Sequence, residues 1–450
     1  MDERKSWQDN TGLLYEFLNN YSCEWPALSL EWLSTQPGSD SFPVAEFLLG
    51  TCADGPRENY VYLVDVTLGG PHGVSMENRE YGVRSDRMGF EYGEGKPVYN
   101  IRKRIHIPLG EIHRARASRV EGSLLAGCVC ASGESIVFDR SVPKDTEPID
   151  AGLRIKEGDG HESVVARLCG HDSAAWGLAW SLFDGEQLLT SSDDHRICTW
   201  NLHKSPHDTS GGKSAWKAAK TITPVSTYST GHTKAVQCVI PHIDHPAMFI
   251  SAGDDGQICV WDGRISDHEH AFFPVVKDPT DAFNAVSQNK FKAHLLATGG
   301  TGTDVCIWDI RNCGYPLARL SHHDKGSNAV AFNEHRDYLL ASAGAEGKVV
   351  VWDLRDIGKE QSAENAQDGP PELLFVHQGH TTAVQDICWA PDEEHEFHIS
   401  SVSDNNEWQL WSYVRHMLCI KDTARRLHAV ISCTHALYPC FVPLSCSLVV

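Results

Sequence analysis

Apolar and polar positions recur along this chain in one motif: two or three apolar residues, an aromatic, then Asp or a small polar residue. It appears as YLVDV ending at Val66, IVFDR at Arg140, ICTWN at Asn201, ICVWD at Asp262, VCIWD at Asp309, VVVWD at Asp353 and QLWS at Ser412. Short apolar runs bounded by turn residues read as buried strands. Counted at the Asp-equivalent position, successive motifs lie 44 to 74 residues apart. The shortest spacings match a four-stranded repeat of about 40–45 residues. The longer gaps need insertions, and polar stretches bearing Gly and Pro stand at 68–97, 141–161, 203–220 and 356–372.

Two further signals keep step with the motif. Gly170-His171, Gly231-His232 and Gly379-His380 each precede an apolar segment, and the turn-like SDD at 192–194, GDD at 253–255 and SDN at 403–405 fall shortly before a Trp. A buried imidazole needs both ring nitrogens satisfied, so such His, Asp and Trp side chains can share a network that locks one blade. Seven ordered motifs with these partners predict an all-β fold, a seven-bladed WD-repeat β-propeller over 25–414. The recurring His, Asp and Trp are then structural, not catalytic.

A propeller must close. The alternation in Ala27–Leu33, ALSLEWL, predicts a half-buried strand that completes the last blade and removes its open edge. Ahead of it, residues 1–24 form a separate segment in which Trp7 to Asn20 predicts a helix. Its apolar residues make two stripes, Trp7 with Leu14 and Leu18, and Leu13 with Phe17. One stripe docks the helix on the propeller wall, and the second implies another buried surface, the protein's own or a partner's.

Charge narrows the chemistry. Lys plus Arg total 39 against 60 Asp plus Glu, a net −21, which opposes phosphate wrapping and favours a basic partner. The short basic run IRKRIHI at 101–107 therefore reads as an exposed strand face, with no direct nucleic-acid contact expected. The 15 cysteines are scattered without paired CxxC spacing and the 24 histidines without a metal frame, which predicts reduced thiols, an intracellular setting and no metal or cofactor. MDERKSWQDN lacks an apolar signal core. No nucleophile–base order or phosphate-cradling loop accompanies the repeats: GGTGTD at 299–304 reads as a blade turn, so the chain is expected to be a scaffold and not an enzyme. Residues 415–450 are compositionally foreign. Their uncharged stretch could span a bilayer in length, but Pro439 and Pro443 oppose that, and an appendage outside the fold is expected.

WQDNTGLLYEFLNNYSCEWPALSLEWL near the start, GEIHRARA at 110–117, SDDHRICTWN at 192–201 and IGKEQSAENAQDGPPELLFVHQGHT at 357–381 together resemble the retinoblastoma-binding, histone-binding WD-repeat proteins, the family of the small subunit of chromatin assembly factor one. The resemblance covers about residues 5 to 413, and the diproline loop is its most specific piece. It implies a groove for the first helix of histone 4, with Leu13, Leu14, Phe17 and Leu18 on one wall and Glu364, Asp368, Gly369, Pro370, Pro371, Leu373 and Phe375 on the other. It implies a second site for the histone 3 tail on the propeller top, mapped to Glu111, His113, Arg114, Trp176, Gln237 and Asn284. There the chain departs from the family: Ala174 and Gln237 stand where relatives carry Glu, His113 replaces an amide residue, and Asn365 and Gln367 dilute the acidic loop. The implied partners are histones 3 and 4 and subunits of chromatin assembly, acetyltransferase, deacetylase or Polycomb-type complexes, in the nucleus with the cytoplasm left open. The rival reading is a WD-repeat adaptor for ribosome assembly or a ubiquitin ligase.

Overall fold

The computed structural model describes residues 3–38, 42–53, 59–68, 81–83, 87–90, 99–141, 163–203, 220–268, 270–277, 281–312, 314–363, 365–367 and 369–414. Most of the three insertions at 68–97, 141–161 and 203–220, and all of the 415–450 tail, lie outside the described residues.

Helix α1 (Glu3–Leu14) leads directly into strand β1 (Tyr15–Ser22), and seven sheets are arranged around a ring, antiparallel except where Val164–Leu168 pairs parallel with Lys220–Ile222. The innermost strands are Ala27–Pro37, Ile112–Ala117, Ala175–Trp180, Val236–Pro241, Phe283–Gln288, Ser327–Phe332 and Val384–Trp389, and each packs against the innermost strand of the next blade. The cycle completes where Val384–Trp389 meets Ala27–Pro37. All seven sequence motifs fall on the third strand of a blade, from Tyr60–Thr67 to Glu407–Tyr413.

Closure differs from the expectation in one respect. Ala27–Leu33 lies inside the innermost strand of the first blade, pairing Ala27 to Thr51 through Pro37 to Pro43. The fourth strand of the last blade is instead β1, which pairs antiparallel with Glu407–Tyr413, Tyr15 opposite Tyr413 and Ser22 opposite Glu407, and the short strands Arg87–Phe90 and Tyr81–Val83 extend that sheet beyond it. The predicted helix over 7–20 is therefore a helix only to Leu14. The open edge of Glu407–Tyr413 offers unpaired backbone groups that must find partners, and that demand outweighs the helical spacing of Leu14, Phe17 and Leu18.

Among the described residues, four blades carry the expected side-chain network. His171 meets Asp194 at 2.9 Å and Thr190 at 2.8 Å, while Trp200 donates to Thr190. His232, Asp255, Ser251 and Trp261 repeat the arrangement. His323 does so with Glu346, Ser342 and Trp352, and His380 with Ser403, Ser401 and Trp411. The IRKRIHI run is less exposed than expected: Arg104 is buried over the Tyr60 ring, Arg102 pairs with Glu46 and Asp65, and Lys103 donates to the carbonyls of Asp139 and Ser141.

Candidate functional site

Helix α1 docks through Trp7, Thr11 and Leu14, a stripe at i, i+4 and i+7 that is buried along its length. The Trp7 indole N–H donates to the Tyr15 hydroxyl at 2.9 Å, and that hydroxyl lies 2.8 Å from Nδ1 of His377, whose Nε2 reaches the Gln409 side-chain oxygen at 2.8 Å. His377 also stacks on Trp411 with centroids 4.3 Å apart. Burial pushes the His377 imidazole well below its ordinary range, helped by neighbouring His380. A neutral ring, donor on one side and acceptor on the other, is what this chain of partners needs.

His377 ends the strand Leu373–His377, which the diproline loop feeds. Gly369 holds φ at +127°, a value that side-chain-bearing residues avoid, and sends the backbone into Pro370 and Pro371. The loop is then fastened by Leu373 N–H to the Pro370 carbonyl and by Asp353 N–H to the Glu372 carbonyl. Helix α1 thus meets the strand that the loop feeds through Trp7, Tyr15 and His377, and Tyr15 packs edge-on against Phe375 at 5.2 Å.

This arrangement corrects the two groove walls read from sequence. Phe17 is 2% exposed and Leu18, Leu14, Leu373 and Phe375 are also buried, all within the molecule's own core clusters. They support the surface from beneath. Leu13, 63% exposed, is the helix residue of that set that faces outward, while Gly369, Pro370 and Pro371 are half-buried on the loop. Glu364 and Asp368 lie outside the described residues.

The propeller top is built by a repeated irregularity. In every blade the ladder slips by one residue at the second position of the innermost strand, at Leu28, His113, Trp176, Gln237, Asn284, Asn328 and Gln385. A bulge of this kind re-aims its side chain, so the seven form one ring. Four of the six expected top residues, His113, Trp176, Gln237 and Asn284, belong to it. His113 and Trp176 stack in parallel at 3.8 Å, Trp176 donates to Asp193 at 2.8 Å, and Gln237 donates to Asp254 at 3.0 Å. Burial lowers the His113 pKa, although the Ala175 carbonyl and the half-exposed Glu111 carboxylate oppose it. Asn284 donates to the Ser327 carbonyl. Arg114 follows the bulge and lines the central channel, so it stands apart from the ring. Sequence reasoning did not pick out Asn328 and Gln385, which the same position in each repeat would have found.

The family model for histone-binding protein RBBP4 and its counterpart in the CAF1 complex matches residues 2–69, the stretch that holds α1, β1 and three strands of the first blade. The WD domain, G-beta repeat, matches 162–201, 222–262, 314–353 and 371–412. Each of these matches takes the outer strand of one blade with three strands of the next, the stagger that ties neighbouring blades together. The buried Trp7–Tyr15–His377 linkage fastens the first matched stretch to the last one, so helix, loop and ring make one body. The RBBP4/CAF1 histone-binding match ahead of the WD repeats supports an RBBP4-like histone-binding WD-repeat scaffold, built on a seven-bladed propeller.

Proposed function

We propose that the outer surface of α1 and the diproline loop together hold a helix of histone 4, with Leu13, Pro370 and Pro371 as its apolar contacts and Glu364 and Asp368 pairing with histone Lys or Arg at the rim. The observation that carries this reading is the histone-binding match over residues 2–69, taken with the fastening of that stretch to the strand the diproline loop feeds. Apolar anchors supply most of the affinity in helix-in-groove recognition, and rim charges steer the encounter. A net charge of −21 favours a cationic partner. The backbone of Pro370 and Pro371 is already restricted, which lowers the ordering cost on binding.

The ring of bulged residues beside Glu111 is the place for a histone 3 tail, whose Arg would pair with that carboxylate. With Gln237 in the ring where relatives carry Glu, this contact is weaker than in those relatives. The protein works without chemistry of its own, in the nucleus, as a subunit of assembly or histone-modifying complexes, and meets DNA only through its partners.

Leu13→Asp is expected to abolish histone 4 pull-down while leaving the thermal transition unchanged, because the side chain it replaces is already in water. Undiminished capture would overturn the helix site. Titrating a histone 3 N-terminal peptide against wild type and Glu111→Ala tests the second site, and equal affinities would remove Glu111 from it.

A further inference from the structure

Of the seven bulged side chains at the propeller top, His113 is the one that changes charge near neutral pH. Its neighbours fix the state of both ring nitrogens. Nδ1 lies 2.9 Å from the Ala175 carbonyl oxygen, which can only accept, so Nδ1 carries a hydrogen. In the neutral ring the lone pair then sits on Nε2, which has no hydrogen-bond partner among the described residues and faces the Glu111 carboxylate across 3.8 Å. That gap is too long for a hydrogen bond, and two acceptors would not form one. Trp176 holds the ring in place, stacking on it in parallel with centroids 3.8 Å apart while its own N–H donates to Asp193.

Three charged side chains face this imidazole. Glu111 precedes its strand, Arg114 follows it on the strand, and Asp193 comes from a turn of the next blade. The two carboxylates favour a proton on Nε2, whereas burial and Arg114 disfavour it, and burial is the largest of these effects. The two carboxylates are not equally free. Asp193 already accepts from Trp176, while half-exposed Glu111 has no Lys or Arg within ion-pair distance among the described residues. Glu111 is therefore the carboxylate open to a cation from outside, and His113 beside it can compete for that role.

We propose that His113 governs the Glu111 site through its proton: neutral, it leaves the carboxylate to the cation of an incoming tail, and protonated, it takes the carboxylate for itself. This rests on the reading of the propeller top as a tail site. A shift of about 1 Å in the half-exposed Glu111 side chain brings a protonated Nε2 to charge-assisted hydrogen-bond distance. The competition is reciprocal, so a cation bound on Glu111 disfavours the proton by the same factor that the proton weakens the cation. With burial holding the ring neutral at pH 7, the site is open there and closes on acidification.

Calorimetric titration of the full chain with an acetylated, histidine-free histone 3 N-terminal peptide, at pH 7.5 and 5.0 and constant ionic strength, tests this. Wild type should bind about fivefold more weakly at pH 5.0, the lower end of ordinary coupling between two sites. His113→Asn, whose amide can still donate to the Ala175 carbonyl, should lose clearly less over the same interval. If that variant fails to fold, wild type alone decides. At pH 6.0, above the ordinary carboxylate range, it should release part of a proton on binding, read from the dependence of the binding enthalpy on the buffer's ionisation enthalpy. Equal losses in wild type and His113→Asn, or no proton released, would overturn the proposal and leave the tail site standing. No binding by wild type at either pH, or binding that Glu111→Ala leaves unchanged, would remove the Glu111 tail site and the proposal with it.

Discussion

Four blade imidazoles are each held from both sides, but the holders vary. His171 and His232 face Asp194 and Asp255, His323 faces Glu346, and His380 makes do with Ser403 and Ser401. Three of these were legible because Gly precedes the His; His323 follows another histidine, and nothing local marks it. The turns show the same tolerance. Where Gly256 and Gly347 take positive φ, His195 holds +67° and Asn406 +69° at the matching place, so the hydrogen bonds of the blade outweigh a local strain of about 1–2 kcal/mol. Phe17 is the residue whose meaning changes most between sequence and structure. At helical spacing from Leu13 it looks like a partner contact. On β1 it is 2% exposed and tilted against His398 at 5.6 Å. Phe17→Ala should therefore cost about 3 to 5 kcal/mol of stability, read as a lowered midpoint in denaturant unfolding. A variant with unaltered stability and lost histone capture would restore Phe17 to the contact surface.

At the scale of elements, the blade-forming strands were readable because each motif has its own short apolar run and turn. The closing strand was not. β1 is buried on both faces, so the alternation that marks a half-buried strand is missing, and LLYEFLNNY fits a helix as well as a strand. The choice is made far away in sequence, by the edge of Glu407–Tyr413. Helix α1 and β1 consequently do different jobs, and truncation should separate them. Removing residues 1–14 should leave a cooperative, monomeric ring that no longer captures histone 4, since the Trp7 anchor and Leu13 go together. Removing 1–22 also strips the edge of the last blade, leaving a row of unpaired backbone groups prone to pairing with another chain. Broad melting and aggregation on size-exclusion chromatography are expected. Identical behaviour of the two truncations would mean that β1 is dispensable for closure.

For the molecule as a whole, protons link the helix anchor to the ring. His377 faces Trp7, Tyr15, His380, Gln409 and Trp411, none of them an anion, and its pKa lies well below the ordinary 6.5. The unfolded chain gains a proton there on passing below pH 6.5 while the folded chain does not, so stability falls with acidification, at up to about 1.4 kcal/mol per pH unit. His171 acts in the opposite window. Burial disfavours its charge, but the Asp194 carboxylate overcomes that and holds it at about 9, so its contribution is complete below its ordinary 6.5 and disappears as pH rises through 9. Asp255, held at about 2 by His232 and nearby donors against the pull of burial, loses its contribution only as pH falls from its ordinary 3.8 through 2. Stability should thus peak between the His377 and His171 limits. His377→Gln keeps a polar side chain beside Tyr15 and removes that titration, so its unfolding free energy should decline less steeply between pH 6.5 and 5 than that of wild type, the remaining slope coming from His113, His242 and His322, whose pKa values burial also lowers. Parallel profiles for the two proteins over that interval would place the acid sensitivity elsewhere in the ring.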